Sequence, residues 1–370
     1  MKVLFDYQIF CIQRYGGISR YFYELTNNLG KINEASIEIF APLYTNEYFY
    51  ENSQIRPNGT RLPRVMPQVL SRRFSALTNV AAFNLLKKRF HPDIFHETYY
   101  SLFDCCPRGA KRLLTVCDMI HEKFPNDFPI LDRTREIKAR SLRRADHIVC
   151  ISENTRRDLL EFTDIPEEKI SVIYLGHSFN LAPPSTIHNR EKKPYILYVG
   201  KRSGYKNFAG LLKAYSESKL LKNEFSLVCF GGGSFTSLEL KLIKSLRINP
   251  ENVIYASGAD NELAAWYRSA VVFVYPSMYE GFGIPPLEAM SCGCPVACSN
   301  TSSLPEVVGD AADLFNPENA TDMRLAIERV VSSPDYAAQL ILKGNQRVKL
   351  FSWEKCARDT LNVYQQILND

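Results

Sequence analysis

Short apolar runs rich in β-branched and aromatic residues recur along the chain, separated by longer stretches with helical spacing. The first group is KVLF (2–5), SIEIFA (36–41), DIFH (93–96), LLTVC (113–117), HIVCI (147–151) and SVIY (171–174). Each is nearly continuous in apolar character, the pattern of a strand covered on both faces. SRYFYELTNNL (19–29) and NTRRDLLEFT (154–163) lie between them and read as helices. Strands alternating with helices predict βαβ units and a parallel sheet. The alternation stops over HSFNLAPPSTIHNREKKP (177–194), a polar stretch with three prolines that reads as a linker. It restarts with YILYVG (195–200), FSLVCF (225–230), NVIYA (252–256), VVFVY (271–275), PVAC (295–298) and ADLF (312–315), and closes on the helical SWEKCARDTLNVYQQIL (352–368). The pattern predicts an α/β protein of two similar doubly wound, Rossmann-like domains, 1–184 and 185–352, followed by a helical segment, 353–370. Ligands of such sheets bind beyond the carboxyl ends of the strands, so two domains face to face would enclose a cleft for two substrates.

Composition narrows the class. The 370 residues exceed what one core usually serves. With 45% apolar and 23% charged residues the chain is globular. No run of eighteen apolar residues occurs, so no membrane-spanning helix is expected. MKVLFDYQIF enters a strand pattern without a leader-like apolar run, and the ten cysteines lack framework spacing; a cytoplasmic location is expected. Cys292, Cys294 and Cys298 lack a nearby fourth ligand and read as small core residues. There is no Asp-x-Asp, so no metal site and no divalent requirement is expected. Net charge is +5, with 25 basic against 21 acidic residues over 1–180 and 20 against 19 over 181–370. That surplus is too small to point to nucleic acid. Its placement is uneven: residues 71–90 carry five basic residues and no acid around an apolar middle. Such a helix either lies on an anionic membrane leaflet, as a peripheral contact, or packs on a core with charged ends.

The chemistry concentrates in YPSMYEGFGIPPLEAMSCGCPVACS (275–299). VVFVY is a buried strand, PSMYEGFGI a loop, and PPLEAM the start of a helix, since proline is tolerated in a first turn. Glu280 then sits just past the strand's carboxyl end and Glu288 in the helix's first turn. Gly281 and Gly283 let the backbone approach a ligand closely. Free helix N–H groups suit an anion, and carboxylates accept from hydroxyls, so the segment fits a ligand with a phosphate and many hydroxyls. Each glutamate alone also reads as a solvated loop acid or a helix-dipole partner. YVGKRSGYKNF (198–208), a strand, a glycine and clustered cations, is suited to clamping a diphosphate.

EGFGIPPLEAMSCGCPV (280–296) resembles the E-x₇-E motif of retaining glycosyltransferases of family 4, whose fold is GT-B, two Rossmann-like domains facing across a cleft with a C-terminal helix crossing back to the first. The resemblance implies that Glu280 faces the donor sugar, that Glu288 binds the ribose, and that the amides of Gly281, Phe282, Gly283 and Ile284 line sugar and phosphate. The loop at 199–206 resembles the family's phosphate site: Lys206 matches its lysine, while the arginine corresponds either to Arg202 by chemistry or to Lys201 by spacing. Gly16 and Gly17 resemble the N-terminal glycine loop that approaches the donor phosphate; a plain turn also explains them. LLTVCDMIHEKFP (113–125) resembles a segment whose histidine sits near the reacting sugar. This chain has Cys117 there, leaving His121 or Asp118 to cover the position. His96 and Glu97 resemble an acceptor-side segment, and FGGGSF (230–235) either a turn near the base or a tight strand-to-helix connection.

The resemblance implies front-face transfer of a hexose from a GDP- or UDP-linked sugar to a hydroxyl of a glycan or lipid-linked glycan in surface polysaccharide assembly. Mannose from GDP-mannose is the first expectation, and no cofactor beyond the substrate nucleotide sugar is implied. Two other readings keep the same sugar-nucleotide site: a hydrolase, phosphorylase or epimerase with another acceptor, and a non-catalytic binding subunit, for which Cys117 speaks. A dehydrogenase is excluded by the missing dinucleotide fingerprint.

Overall fold

The computed structural model describes residues 1–50, 54–63, 68–179, 193–202 and 204–369. The chain divides into two compact units, Met1–Gly176 with Trp353–Asp370, and His177–Ser352. The boundary expected at 184/185 and most of the proline-containing linker lie outside the described residues.

The first unit is built on β1 (Lys2–Phe5), β2 (Ser36–Ile39), β3 (Ile94–Glu97), β4 (Lys111–Val116), β5 (His147–Cys150) and β6 (Ile170–Val172). They form one parallel sheet in the order β2-β1-β3-β4-β5-β6. Each expected strand of this half is present. A separate parallel pair, Leu43–Tyr44 with Thr60–Arg61, had no signal, because two residues cannot show a period. The second unit is built on β7 (Tyr195–Val199), β8 (Ser226–Phe230), β9 (Val253–Ala256), β10 (Val272–Tyr275), β11 (Val296–Ser299) and β12 (Ala312–Phe315), in the order β9-β8-β7-β10-β11-β12, again parallel. Strands β4, β5, β8, β10 and β11 are buried almost throughout, which is why their sequences do not alternate.

In each sheet the strand order reverses once. The reversal falls between β1 and β3 in the first unit and between β7 and β10 in the second. Loops leaving neighbouring strands there turn to opposite sides of the sheet and leave a crevice at the carboxyl end, where open α/β sheets hold ligands.

The helix Trp353–Asn369 belongs to the first unit although it ends the sequence. Trp353, Cys356, Ala357, Thr360, Leu361, Tyr364 and Ile367 form its buried face, at three- and four-residue spacing. That face lies on the helix Gly17–Leu29, with the Trp353 and Tyr21 rings 6.3 Å apart. Its polar anchor is Tyr364. The hydroxyl is 2.7 Å from His96 Nδ1, and His96 Nε2 is 2.8 Å from Thr115 Oγ1. Burial lowers the His96 pKa to about 3, so the ring stays neutral and bridges the two hydroxyls with one donor and one acceptor nitrogen. Tyr364→Phe is expected to leave a buried ring nitrogen unpaired and to destabilise the first unit by about 1–3 kcal/mol. Urea unfolding measures it; an unchanged midpoint would show that the bridge is not holding the helix.

Candidate active site

At the reversal in the second unit, the loop leaving β7 carries Lys206 and the loop leaving β10 carries Glu280. Lys206 Nζ donates to Glu280 Oε1 at 2.6 Å. The side chains are 19% and 11% exposed, so water reaches the pair but does not surround it. Lys206 Nζ lies 5.0 Å from the Tyr205 ring centre and 5.7 Å from that of Tyr275. Tyr275 hydrogen-bonds Glu280, and its phenol is pushed well above its usual range by burial first and by that carboxylate second. The two loops are also joined through the backbone, where Met278 N–H donates to the Tyr205 carbonyl at 2.7 Å.

Three hydroxyls after β11 fix the Glu280 loop. Ser302 Oγ accepts from Glu280 N–H at 2.8 Å and donates to the Glu280 carbonyl at 2.7 Å. Ser303 Oγ lies 2.8 Å from the Glu280 carbonyl and 2.7 Å from that of Phe282, and Thr301 Oγ1 donates to the Met278 carbonyl at 3.0 Å. Ser302 has φ +54°, a left-handed conformation that costs a non-glycine residue about 1–2 kcal/mol and persists where surrounding structure enforces it. This latch was not anticipated. Its signal was the Thr-Ser-Ser run directly past a strand end, opposite the candidate loop.

Gly283 caps the helix Ile284–Ser291 with φ +108°, and a Cβ there would lie 2.6 Å from Leu304 Cδ2. The left-handed backbone favours glycine there, and any side chain would in addition displace Leu304. The Gly281–Ile284 segment runs directly from Glu280 into this helix start. Glu288 differs from expectation. The helix begins at Ile284, so Glu288 is its fifth residue, outside the first turn, and it is buried, accepting from the Tyr267 hydroxyl at 3.4 Å.

Arg202 is committed elsewhere. Its guanidinium bonds Glu239 and the carbonyls of the Gly231–Ser234 turn and is 2% exposed. Lys201, the alternative by spacing, is exposed. The structure brings Lys206 and Glu280 together and does not bring Arg202 to them. Cys292, Cys294 and Cys298 are all buried and their thiols are raised by burial, Cys292 to about 11, as expected of small core residues.

In the first unit, Gly16 caps the helix Gly17–Leu29; its carbonyl accepts from Ser19 Oγ at 3.1 Å, and Gln13 Oε1 accepts from Ser19 N–H at 3.1 Å. Asp118 follows β4 and accepts from Ile120 N–H at 3.1 Å. Beneath it the buried Lys138 donates to the Asp118 carbonyl at 3.0 Å and to Glu122 at 2.7 Å, fixing the segment from below. His121 is half-buried and stacks on Phe128, ring centres 3.9 Å apart, with Nε2 3.9 Å from Asp132 Oδ2. Burial, then nearby Lys138, lowers its pKa. With Asn126, Phe128, Asp132 and Arg135 it lines a pocket of about 250 Å³. Cys117 is buried and its thiol pKa is raised by burial, so it does not supply the proton chemistry of the histidine it replaces.

The acceptor-side expectation for His96 is corrected. The ring is fully buried between Thr115 and Tyr364 and offers no surface to a ligand. Glu97 is buried as well. Arg144 donates to its Oε1 at 3.3 Å, Arg112 Nε lies 3.9 Å away, and Oε2 has no hydrogen-bond partner among the described residues. Asp6, missed from sequence, lies with it at the first unit's reversal. It directly follows β1, and its Oδ1 accepts from Thr98 N–H at 3.0 Å and from the Thr98 hydroxyl. A charged residue directly after an apolar strand was its signal.

Two sequence families match the chain: Glycosyltransferase Family 4 over residues 15–179 and Glycosyl transferases group 1 over 185–347. O-antigen chain mannosyltransferase B of Escherichia coli is 33% identical over 287 residues, 74% of each chain. The serotype-specific mannosyltransferase WbdA of Escherichia coli is 30% identical over 365 residues, 92% of this chain but 44% of that protein, so the chain spans less than half of it. Among solved structures, a sucrose-phosphate synthase from Thermosynechococcus elongatus superposes with a TM-score of 0.77 at 21% identity, over 100% of this chain and 99% of that one, a likeness of fold. The chain belongs to glycosyltransferase family 4, has the GT-B class of fold and is a glycosyltransferase.

Burial raises the Glu97 carboxyl to about 8 and that of Asp6 to about 6. Both exceed their ordinary carboxylate values, so the stability tied to their neutral forms is full below those values. It is lost as pH rises through the folded-state ones. Thermal unfolding is therefore expected to fall between pH 5 and 8.5. Glu97→Gln, which mimics the neutral acid, flattens the upper part of that fall. A wild-type midpoint that holds steady to pH 8.5 would contradict the assignment.

Proposed function

We propose that the chain transfers a hexose, first mannose from GDP-mannose, to a hydroxyl of a glycan or lipid-linked glycan in O-antigen-type polysaccharide assembly, with retention at the anomeric carbon. The observation that carries this is the Lys206–Glu280 pair at the sheet reversal, on loops locked to each other by Met278 and Tyr205. The names of the relatives favour mannose and O-antigen.

On donor binding the diphosphate competes with Glu280 for Lys206. The ammonium moves onto the leaving group, where charge develops, and the released carboxylate accepts from sugar hydroxyls. Exposed Lys201 and the amides at the start of the helix Ile284–Ser291 add to the phosphate site. The sugar–phosphate bond lengthens, and the departing phosphate oxygen takes the acceptor's proton on the same face. Carbon changes partner without a covalent enzyme intermediate. Glu288, buried and accepting from Tyr267, binds the ribose hydroxyls of the donor. Lysines and amides supply the charge that a divalent ion would otherwise bring, so chelation of divalent ions leaves turnover intact.

A peripheral contact with an anionic leaflet fits this acceptor class. In the segment 71–90, Phe74, Leu77 and Leu85 are 55%, 71% and 79% exposed; the side chains of Arg72, Arg73 and Lys87 lie outside the described residues. Flotation with anionic liposomes is expected to recover the protein at low salt and not at high salt. Recovery unaffected by salt and by neutralising the five basic residues would count against the contact.

Lys206→Ala and Glu280→Ala are each expected to keep the fold and to lower kcat/KM by at least ~10²-fold. The assay supplies a panel of nucleotide sugars with and without glycan acceptor. Nucleotide released only with acceptor supports transfer; release without acceptor, or near wild-type turnover in either variant, contradicts it.

A further inference from the structure

Arg202 has the residue type of a phosphate ligand and the surroundings of a structural brace. Nε donates to Glu239 at 2.8 Å, Nη1 to the Gly231 carbonyl at 2.7 Å, and Nη2 to the carbonyls of Gly233 and Ser234 at 2.7 and 3.1 Å. Four of its five N–H groups are thereby used. Its face lies 4.8 Å from the Phe235 ring centre. Glu239, its ion-pair partner, is itself held by Thr236 N–H at 2.6 Å. A guanidinium so engaged is not available to a diphosphate.

What it braces is an unusual turn. Gly231, Gly232 and Gly233 have φ +82°, +71° and +81°, three left-handed residues in succession after β8, the strand beside β7. Gly232 is pressed onto the loop leaving β7, where a Cβ would lie 2.7 Å from the Gly200 carbonyl oxygen. There are no cis peptides among the described residues. In a trans peptide the carbonyl and the next residue's N–H point opposite ways. Carbonyls 231, 233 and 234 converge on the guanidinium, so the N–H groups of Gly232, Ser234 and Phe235 are directed away from it. These three donors have no partner among the described residues. The turn is one strand, about 4.8 Å, from the reversal that holds Lys206 and Glu280.

We infer that Arg202 is a positioning residue: it aims the three amides of the Gly231–Phe235 turn at the nucleoside end of the donor, whose acceptor atoms they bind, and does not touch the diphosphate. This rests on the donor reading above. Lysine at this position keeps a charge but cannot reach three carbonyls and Glu239 together. Glu239→Gln keeps the carbonyl contacts and weakens one arm.

Isothermal titration of GMP, GDP, UMP and UDP against wild type, Arg202→Lys, Glu239→Gln and Lys206→Ala tests it. For the nucleotide pair that wild type binds, Arg202→Lys is expected to weaken mono- and diphosphate by the same factor, about tenfold or more, leaving their ratio unchanged. Glu239→Gln gives a smaller loss of the same form and carries the test if Arg202→Lys fails to fold. Lys206→Ala instead collapses the preference for the diphosphate. A loss confined to the diphosphate in Arg202→Lys or Glu239→Gln, or no loss in either, overturns the inference alone. Wild type binding none of the four overturns the donor reading and this inference with it.

Discussion

The Lys206–Glu280 ion pair is the constraint on which the functional reading depends. An ion pair at a loop tip is worth little in stability, because water screens it and two side chains must be ordered. This one is different in setting. It stands at the carboxyl end of two neighbouring strands, over Tyr275, on loops that share a backbone hydrogen bond, and the Glu280 loop is held by a three-hydroxyl latch. In the proposed reaction its worth is geometric: a cation and a carboxylate held in advance beside the bond that breaks leave little reorganisation to be done.

Around the pair several left-handed residues of the second unit stand at the same edge of the sheet. Ser302 is left-handed beneath Glu280, Gly283 opens the helix that follows, and the three glycines after β8 fold over Arg202. Such conformations are stored where surrounding contacts over-determine them, and their clustering at the carboxyl edge is expected of a site. The first unit treats its charges differently. His96 is neutral and buried, Glu97 and Asp6 are buried acids, and Lys138 is a buried cation paired with Glu122. Those groups shape the loops after β1, β3 and β4 from below.

Much of the fold was legible because many of the twelve sheet strands are short, apolar and buried on both faces, and such runs announce themselves without alternation. Glu280 and Lys206 were legible for a related reason: each stands a few residues past such a run, within two residues of a glycine. What sequence could not give was direction. Arg202 and Lys201 are adjacent, and only the fold tells which of them turns inward to the glycine turn. His96 meets Tyr364 across 268 residues, a pairing no local pattern shows. Glu288 missed the first turn because the helix starts one residue before its prolines, at a glycine cap.

The most direct test of the central claim is a double-mutant cycle on kcat/KM with Lys206→Ala, Glu280→Ala and the two combined. Residues that act as a unit on one bond are strongly non-additive. The account predicts that the double variant loses scarcely more than either single one. Losses that multiply would mean that the two groups serve separate steps, and the shared site would have to be abandoned.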